Sequence, residues 1–228
     1  KLIFFISLLI LSSGNLLSQS GWFWQNPEPC GSNLEDVFFV DQSVGYAVGW
    51  DGSIIKSSNG GLNWNQLLST TNYYLNSIHF INRTTGFVTS TGWQEHSNSG
   101  AILKTTNGGF SWTSISFGMV NFAKVYFLND NTGYACGMYD DDYAVLYRTT
   151  NCGQNWSNIN NFPSSFCFMG IQFINEFTGY ISDYTKILKT TNAGITWDSS
   201  GNGSLQGILE IFCCDVNTVY AVGNYGRI

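Results

Sequence analysis

The sequence predicts an all-β protein: a β-propeller of four-stranded antiparallel blades forming an incomplete ring. Three observations carry this expectation. The 228 residues are 43% apolar, 16% aromatic and 11% charged, with 25 glycines, a composition that suits a folded, turn-rich chain and neither a disordered nor a coiled-coil one. An eight-residue motif recurs at blade-sized intervals: Ser57-Ser58-Asn59-Gly60-Gly61-Leu62-Asn63-Trp64 returns as Thr105 to Trp112, Thr149 to Trp156 and Thr190 to Trp197, with Trp spacings of 48, 44 and 41 residues. Between these copies lies a second repeat, an apolar run ending in Asp or Asn and followed four residues later by a glycine–aromatic pair, as in Val37-Phe38-Phe39-Val40-Asp41 and Gly45-Tyr46. Periods of 40 to 48 residues built from short strands are those of propeller blades.

The chain opens with Lys1, the apolar run Leu2 to Leu11, and the small residues Ser18 and Ser20. That pattern predicts a signal peptide over residues 1–20, because a bilayer span needs about twenty apolar residues. The mature protein is then exported (extracellular, cell-surface or periplasmic), with no transmembrane segment, and residues 21–228 are propeller. Trp22-Phe23-Trp24-Gln25 reads as a lone outer strand that enters ahead of the first blade. In each blade, strand a is the Val/Ile-x-Phe run, strand b begins at the glycine–aromatic pair, strand c is the Ile/Leu-Lys-Thr-Thr type run, and strand d starts at the Trp. Strand a recurs at Ile78, Val125, Ile171 and Ile211, so about four and a half blades of an expected six or seven are present. Tight turns of fixed length join a to b and c to d, as hairpins require.

The recurrent turn has a structural chemistry. An Asn side chain can accept hydrogen bonds from backbone N–H groups of its own turn, and Gly supplies the positive φ that the turn needs. Burying the Trp that follows is worth roughly 4–6 kcal/mol before entropy is counted. Asn59, Gly61 and Trp64, Asn107, Gly109 and Trp112, Asn151, Gly153 and Trp156, and Asn192, Gly194 and Trp197 are therefore assigned structural roles. The pattern Ser/Thr-x-Asn-x-Gly-x-x-Trp resembles the Asp box, or BNR repeat, with Asn in place of Asp. The whole unit, Gly-Tyr-Ala-Val-Gly, then Ile-Leu-Lys-Thr-Thr-Asn-Gly-Gly, then Trp, is similar to the photosystem II assembly and stability factor family of propellers. That resemblance implies the propeller fold and, from the photosynthetic members, a partner met through an arginine-rich patch. The opening residues Trp22 to Pro27 also look like secreted bacterial proteins that carry this module. The arginines here are Arg83, Arg148 and Arg227, widely separated.

The net charge of −6 excludes nucleic acid as a partner, since that recognition rests on a basic surface. Functional loops are expected on the b–c and d–a face, where lengths vary between blades, because irregular loops on a rigid scaffold usually carry function. Trp93, Tyr139, Tyr143, Tyr73 and Tyr74 lie there and are the candidates for binding protein or polysaccharide. The favoured expectation is a non-catalytic binding scaffold; a photosystem II assembly factor-like protein and an Asp-box glycoside hydrolase are the alternatives. A hydrolase needs two carboxylates flanking one bond. The position just ahead of each strand a run is Asp36, Ser77, Lys124, Gly170 and Glu210 in turn, so Asp36 and Glu210 would be that pair. No cofactor and no metal are expected: Asp140-Asp141-Asp142 lacks the alternating spacing of a calcium loop, and His79 and His96 are isolated. Of the six cysteines, Cys136, Cys213 and Cys214 replace apolar residues of the repeat and are read as small apolar side chains, with no disulfide assigned.

Overall fold

The computed structural model describes residues 31–91, 100–139, 143–163, 165–200 and 207–224. Residues 1–20, read above as a signal peptide, the segment Trp22 to Gln25, read as a lone strand, Trp93, His96 and Asp140 to Asp142 lie outside the described residues. Blade 1 comprises β1 (Leu34–Phe39), β2 (Gly45–Gly49), β3 (Ile54–Ser57) and β4 (Asn65–Leu67). Blade 2 comprises β5 (Tyr74–Phe80), β6 (Gly86–Thr91), β7 (Ala101–Thr105) and β8 (Thr113–Ser116). Blade 3 comprises β9 (Val120–Phe127), β10 (Gly133–Tyr139), β11 (Ala144–Thr149) and β12 (Ser157–Ile159). Blade 4 comprises β13 (Phe168–Phe173), β14 (Gly179–Asp183), β15 (Lys186–Thr190) and β16 (Asp198–Ser200), and blade 5 has β17 (Ile208–Cys213) and β18 (Val219–Gly223). Strands pair antiparallel in simple a-b-c-d order within each blade. The outermost strand starts one residue after the Trp and not at it, because the indole sits in the turn that precedes the ladder.

Each repeat folds by the same local chemistry. In the a–b turn, the Asp or Asn side chain accepts two backbone N–H groups, as at Asp41 (Ser43 at 2.8 Å, Val44 at 3.0 Å), Asn82, Asn129 and Asn175. In the c–d turn, the hydroxyl of Ser57, Thr105, Thr149 or Thr190 accepts the N–H of the box glycine at 2.9–3.0 Å. The Asn oxygen there accepts the N–H four residues on, also at 2.9–3.0 Å. Both residues after the Asn have positive φ, including the non-glycine residues Cys152 and Ala193 at 55° and 58°.

Blades are joined by aromatic rings. Tyr46 of blade 1 stacks on Phe80 of blade 2, Phe87 on Phe127, and Tyr134 on Phe173, with centroids 3.9, 4.1 and 4.6 Å apart. From the other side each strand a Phe receives the edge of its own blade's Trp at 5.9–6.2 Å, in the pairs Phe39–Trp64, Phe80–Trp112, Phe127–Trp156 and Phe173–Trp197. The four indoles therefore share one ring contact, with Trp112 and Trp197 buried and Trp64 and Trp156 half-buried. The clasp is tied by polar bonds as well: the Tyr46 hydroxyl and the Lys56 ammonium both donate to the carbonyl of Gly108, in the next blade's box turn.

The glycine ahead of the strand b aromatic exists to admit that Phe. A Cβ added at Gly45, Gly86, Gly133 or Gly179 would lie 2.6–2.7 Å from the ring of the cross-strand Phe. Blade 5 tests the rule within the same chain, because there the Phe is Cys213 and its cross-strand partner is Val219. Cys136 and Cys213 are buried as apolar replacements, but Cys214 is exposed. Its counterparts Val40, Ile81, Leu128 and Ile174 are half-buried; among the described residues no further blade lies against blade 5. Likewise Val37 and Phe39 at one end of the arc, and Tyr220 and Val222 at the other, are exposed where the equivalent residues of inner blades are buried.

The exchange at blade 5 gives a direct test. Cys213→Phe alone overfills the site, and Val219→Gly alone loosens it, each costing about 1–2 kcal/mol. The double variant should recover at least about 1 kcal/mol relative to the sum of the singles in urea unfolding; strict additivity would show that the two positions do not share one space.

Candidate functional site: the channel mouth

The first strands of the blades, β1, β5, β9, β13 and β17, lie side by side around the axis. Every one of them carries a β-bulge at the same place, between Leu34 and Asp36, Leu75 and Ser77, Phe122 and Lys124, Phe168 and Gly170, and Ile208 and Glu210. A bulge adds a residue to one strand and re-aims its side chains. The five bulged residues, Glu35, Asn76, Ala123, Met169 and Leu209, all line a single cavity of about 460 Å³. Lys124, Met138 and Glu210 complete its principal wall. It opens where the inner strands begin, on the side of the d–a connections.

Beside the cavity the two candidate carboxylates converge on one cation. The Lys124 ammonium lies 2.6 Å from Glu210 Oε2 and 3.7 Å from Asp36 Oδ2, so one side chain ties blade 3 to blades 1 and 5. Burial works against that ammonium, and the charges of Asp36 and then Glu210 outweigh it, leaving the Lys124 pKa above its usual value. Asp36 is also bonded to backbone: Oδ1 accepts the N–H of Val37 and Oδ2 that of Ile78 in the next blade, both at 3.0 Å. Ser77 repeats the second bond by accepting the N–H of Val125 at 3.3 Å. Gly170, in the same series, leaves the space that Glu210 fills, since a Cβ there would lie 2.8 Å from Glu210 Oε1.

Further along the inner edge, His79 lies between the rings of Phe38 and Tyr126, at 4.8 and 5.5 Å, with Phe127 at 6.1 Å. Burial first, and the Lys124 ammonium second, lower its pKa from 6.5 to about 4. It is a neutral packing residue at pH 7.

The candidate aromatics divide between two blades. Tyr73 precedes β5 and Tyr74 opens it, with the Tyr74 ring 5.0 Å from Trp50. Tyr139 ends β10 and is half-buried, its hydroxyl 3.3 Å from that of Tyr147, while Tyr143 is 66% exposed. Tyr139 and Tyr143 are linked by a backbone bond across their connection. Arg83 pairs with Asp41 at 2.6 Å on the opposite, fixed-turn face, and Arg148 in β11 is half-buried at the c–d end. Among the described residues no three His, Cys, Asp or Glu side chains gather as a metal site, and no helix is long and apolar enough to cross a membrane.

Sequence reasoning singled out Asp36 and Glu210 but not the cation that joins them, although Lys124 stood in the same positional series. It missed the bulges altogether, and with them Glu35, Asn76 and Met169. A bulge leaves no period in the sequence; the only trace is two consecutive residues ahead of each apolar run whose character changes from blade to blade.

Radial four-stranded sheets around an axial cavity define a β-propeller. The chain belongs to the family described as photosynthesis system II assembly factor YCF48, whose model matches residues 17–161. No curated protein matches the chain. Among solved structures it is similar to YCF48 bound to D1 peptide, at 18% identity and a TM-score of 0.63, covering 86% of this chain and 62% of that one. YCF48 from Cyanidioschyzon merolae is also similar (17%, TM-score 0.65, 88% and 67% covered), as is the GH74 xyloglucanase from Xanthomonas campestris (14%, 0.61, 78% and 32%). At these identities the likeness is one of fold. The chain spans about three fifths of the D1-peptide-bound YCF48 structure.

The depressed His79 pKa gives a pH signature. Its contribution to stability is complete above the unfolded value of 6.5 and is lost as the pH falls from there through about 4. Between pH 7 and pH 3.5 the native protein should lose roughly 3 kcal/mol more than His79→Phe in urea titrations. Parallel pH curves for the two proteins would exclude this role.

Proposed function

We propose that the chain is a non-catalytic, exported propeller that binds protein at its channel mouth, in the manner of an assembly-factor scaffold. The observation that carries the reading is the position of Lys124. A hydrolytic pair must leave room for a glycosidic bond, with or without a water, between its carboxyl groups. Here an ammonium is hydrogen-bonded to Glu210 and ion-paired with Asp36, and both Asp36 oxygens also hold backbone N–H groups. This is the wiring of carboxylates that hold blades together. The cavity beside them is of the size and mixed apolar–polar lining typical of binding sites.

A polypeptide partner is supported by the YCF48 structure that contains a D1 peptide. Export rests on the basic start and apolar run of residues 1–20. Polysaccharide is the second ligand class, favoured by exposed Tyr143, whose ring is free to stack on a sugar face. The photosystem partner belongs to the named relatives. For this chain the proposal is the scaffold role, with Tyr73, Tyr74, Tyr139 and Tyr143 on the blades that flank the cavity.

Incubation with xyloglucan and other plant and bacterial polysaccharides should release no reducing ends. Turnover that Asp36→Asn abolishes would overturn the non-catalytic reading. On immobilised protein, polypeptide ligands should compete with one another for the mouth, and Met169→Trp, which fills the cavity with a bulky ring, should weaken them at least tenfold.

A further inference from the structure

Building on that protein-binding reading, we propose that the channel mouth takes a cationic segment of an extended polypeptide, with a lysine or arginine side chain entering between Glu35 and Glu210. The cavity carries a charge excess of one sign. Glu35 and Glu210 line it, Asp36 adjoins it, and Lys124 is the one base among its lining residues. The surrounding molecule has the same sign, with 15 acidic and 9 basic side chains, so its field draws cations toward a low-dielectric opening.

Lys124 does not convert the mouth into an anion site. Its ammonium is bonded to Glu210 at 2.6 Å and faces Asp36 at 3.7 Å. An incoming carboxylate or phosphate would have to displace one of these carboxylates and sit beside the other. A cation meets no such obstacle. Glu35 is exposed and uses Oε1 to accept the Trp50 indole N–H at 2.6 Å, an interaction that orients the carboxylate without neutralising it. The Glu210 side chain is 44% exposed, with Oε2 on Lys124 and Oε1 held by its own backbone neighbour Ile211 at 3.2 Å. Two oriented carboxylates therefore flank the opening, one from blade 1 and one from blade 5.

The rest of the lining suits the stem of a long basic side chain. Met138, Met169 and Leu209 are unpaired apolar surfaces of the wall, and Leu209 is exposed to incoming chain. Lysine and arginine bury their methylene stems on such surfaces while the charged end stays with its counter-ions, and methionine adapts its shape to the stem. A volume of about 460 Å³ holds one such side chain with adjoining backbone.

The test is selection from a random dodecapeptide library on the immobilised chain. Bound sequences should be enriched at least threefold in Lys and Arg over Asp and Glu. Glu35→Gln, which leaves the Lys124 pairing intact, should reduce affinity for a selected peptide about fivefold, and Glu35→Gln with Glu210→Gln at least twentyfold. Glu176→Gln with Asp198→Asn removes the same net charge from exposed positions away from the cavity and should change affinity less than twofold. Enrichment of acidic or uncharged sequences, or equal losses in the two double variants, would overturn the cationic assignment and leave protein binding standing. Failure to enrich any sequence would overturn protein binding at this mouth as well.

Discussion

The phenylalanine that ends the inner strand of blades 2, 3 and 4 is the part on which the rest of the architecture depends. It is held edge-on by the indole of its own blade and face-on by the aromatic ring of the preceding one. One residue thereby joins the inside of a sheet to the junction between sheets. The glycine across the ladder and the length of the a–b turn both follow from it. So does the position of the Trp in the c–d turn, which brings the indole against that ring. The side-chain clasp also explains why blades with little sequence in common stack with one geometry: only the rings and the space beneath them have to match.

Much of this was legible in the sequence because it recurs. Five copies of a strand a run and four of an Asn-box turn fix strand order, hairpin turns and blade period without any appeal to burial. The exchange of Phe–Gly for Cys213–Val219 was also visible as letters, but its meaning needed the cross-strand register. The channel mouth was less legible. Its charged tie joins residues from three blades that are 88 and 86 positions apart, and nothing local marks Lys124 as the partner of Asp36 and Glu210. The bulges are hidden for a different reason: they insert one residue without altering the spacing of the apolar residues that follow. The variable-face tyrosines were identified from loop length alone, which places them on a face but does not say which are already packed. Tyr139 and Tyr74 turn out to have ring or hydroxyl neighbours of their own.

Family membership and site chemistry speak to different levels of the molecule. The YCF48 model and the GH74 likeness share the propeller, and that fold serves an assembly factor in one case and an enzyme in the other. In the present chain the inner-strand positions set a lysine between two acids. A fold can host many activities, and the site decides among them.

The same positions limit how freely the repeats can be rearranged. Ring clasps link only adjacent sheets, so in principle a sheet could be duplicated, deleted or swapped with another and every clasp re-formed. Asp36, Lys124, Gly170 and Glu210 in the inner-strand series have no such freedom, because each is matched to another across the axis. Sheets that are interchangeable as building blocks are thus numbered at one address each. An insertion of a single extra sheet would leave the stacking intact while scrambling the charges at the centre, and evolution of such a protein by unequal recombination would be filtered there first.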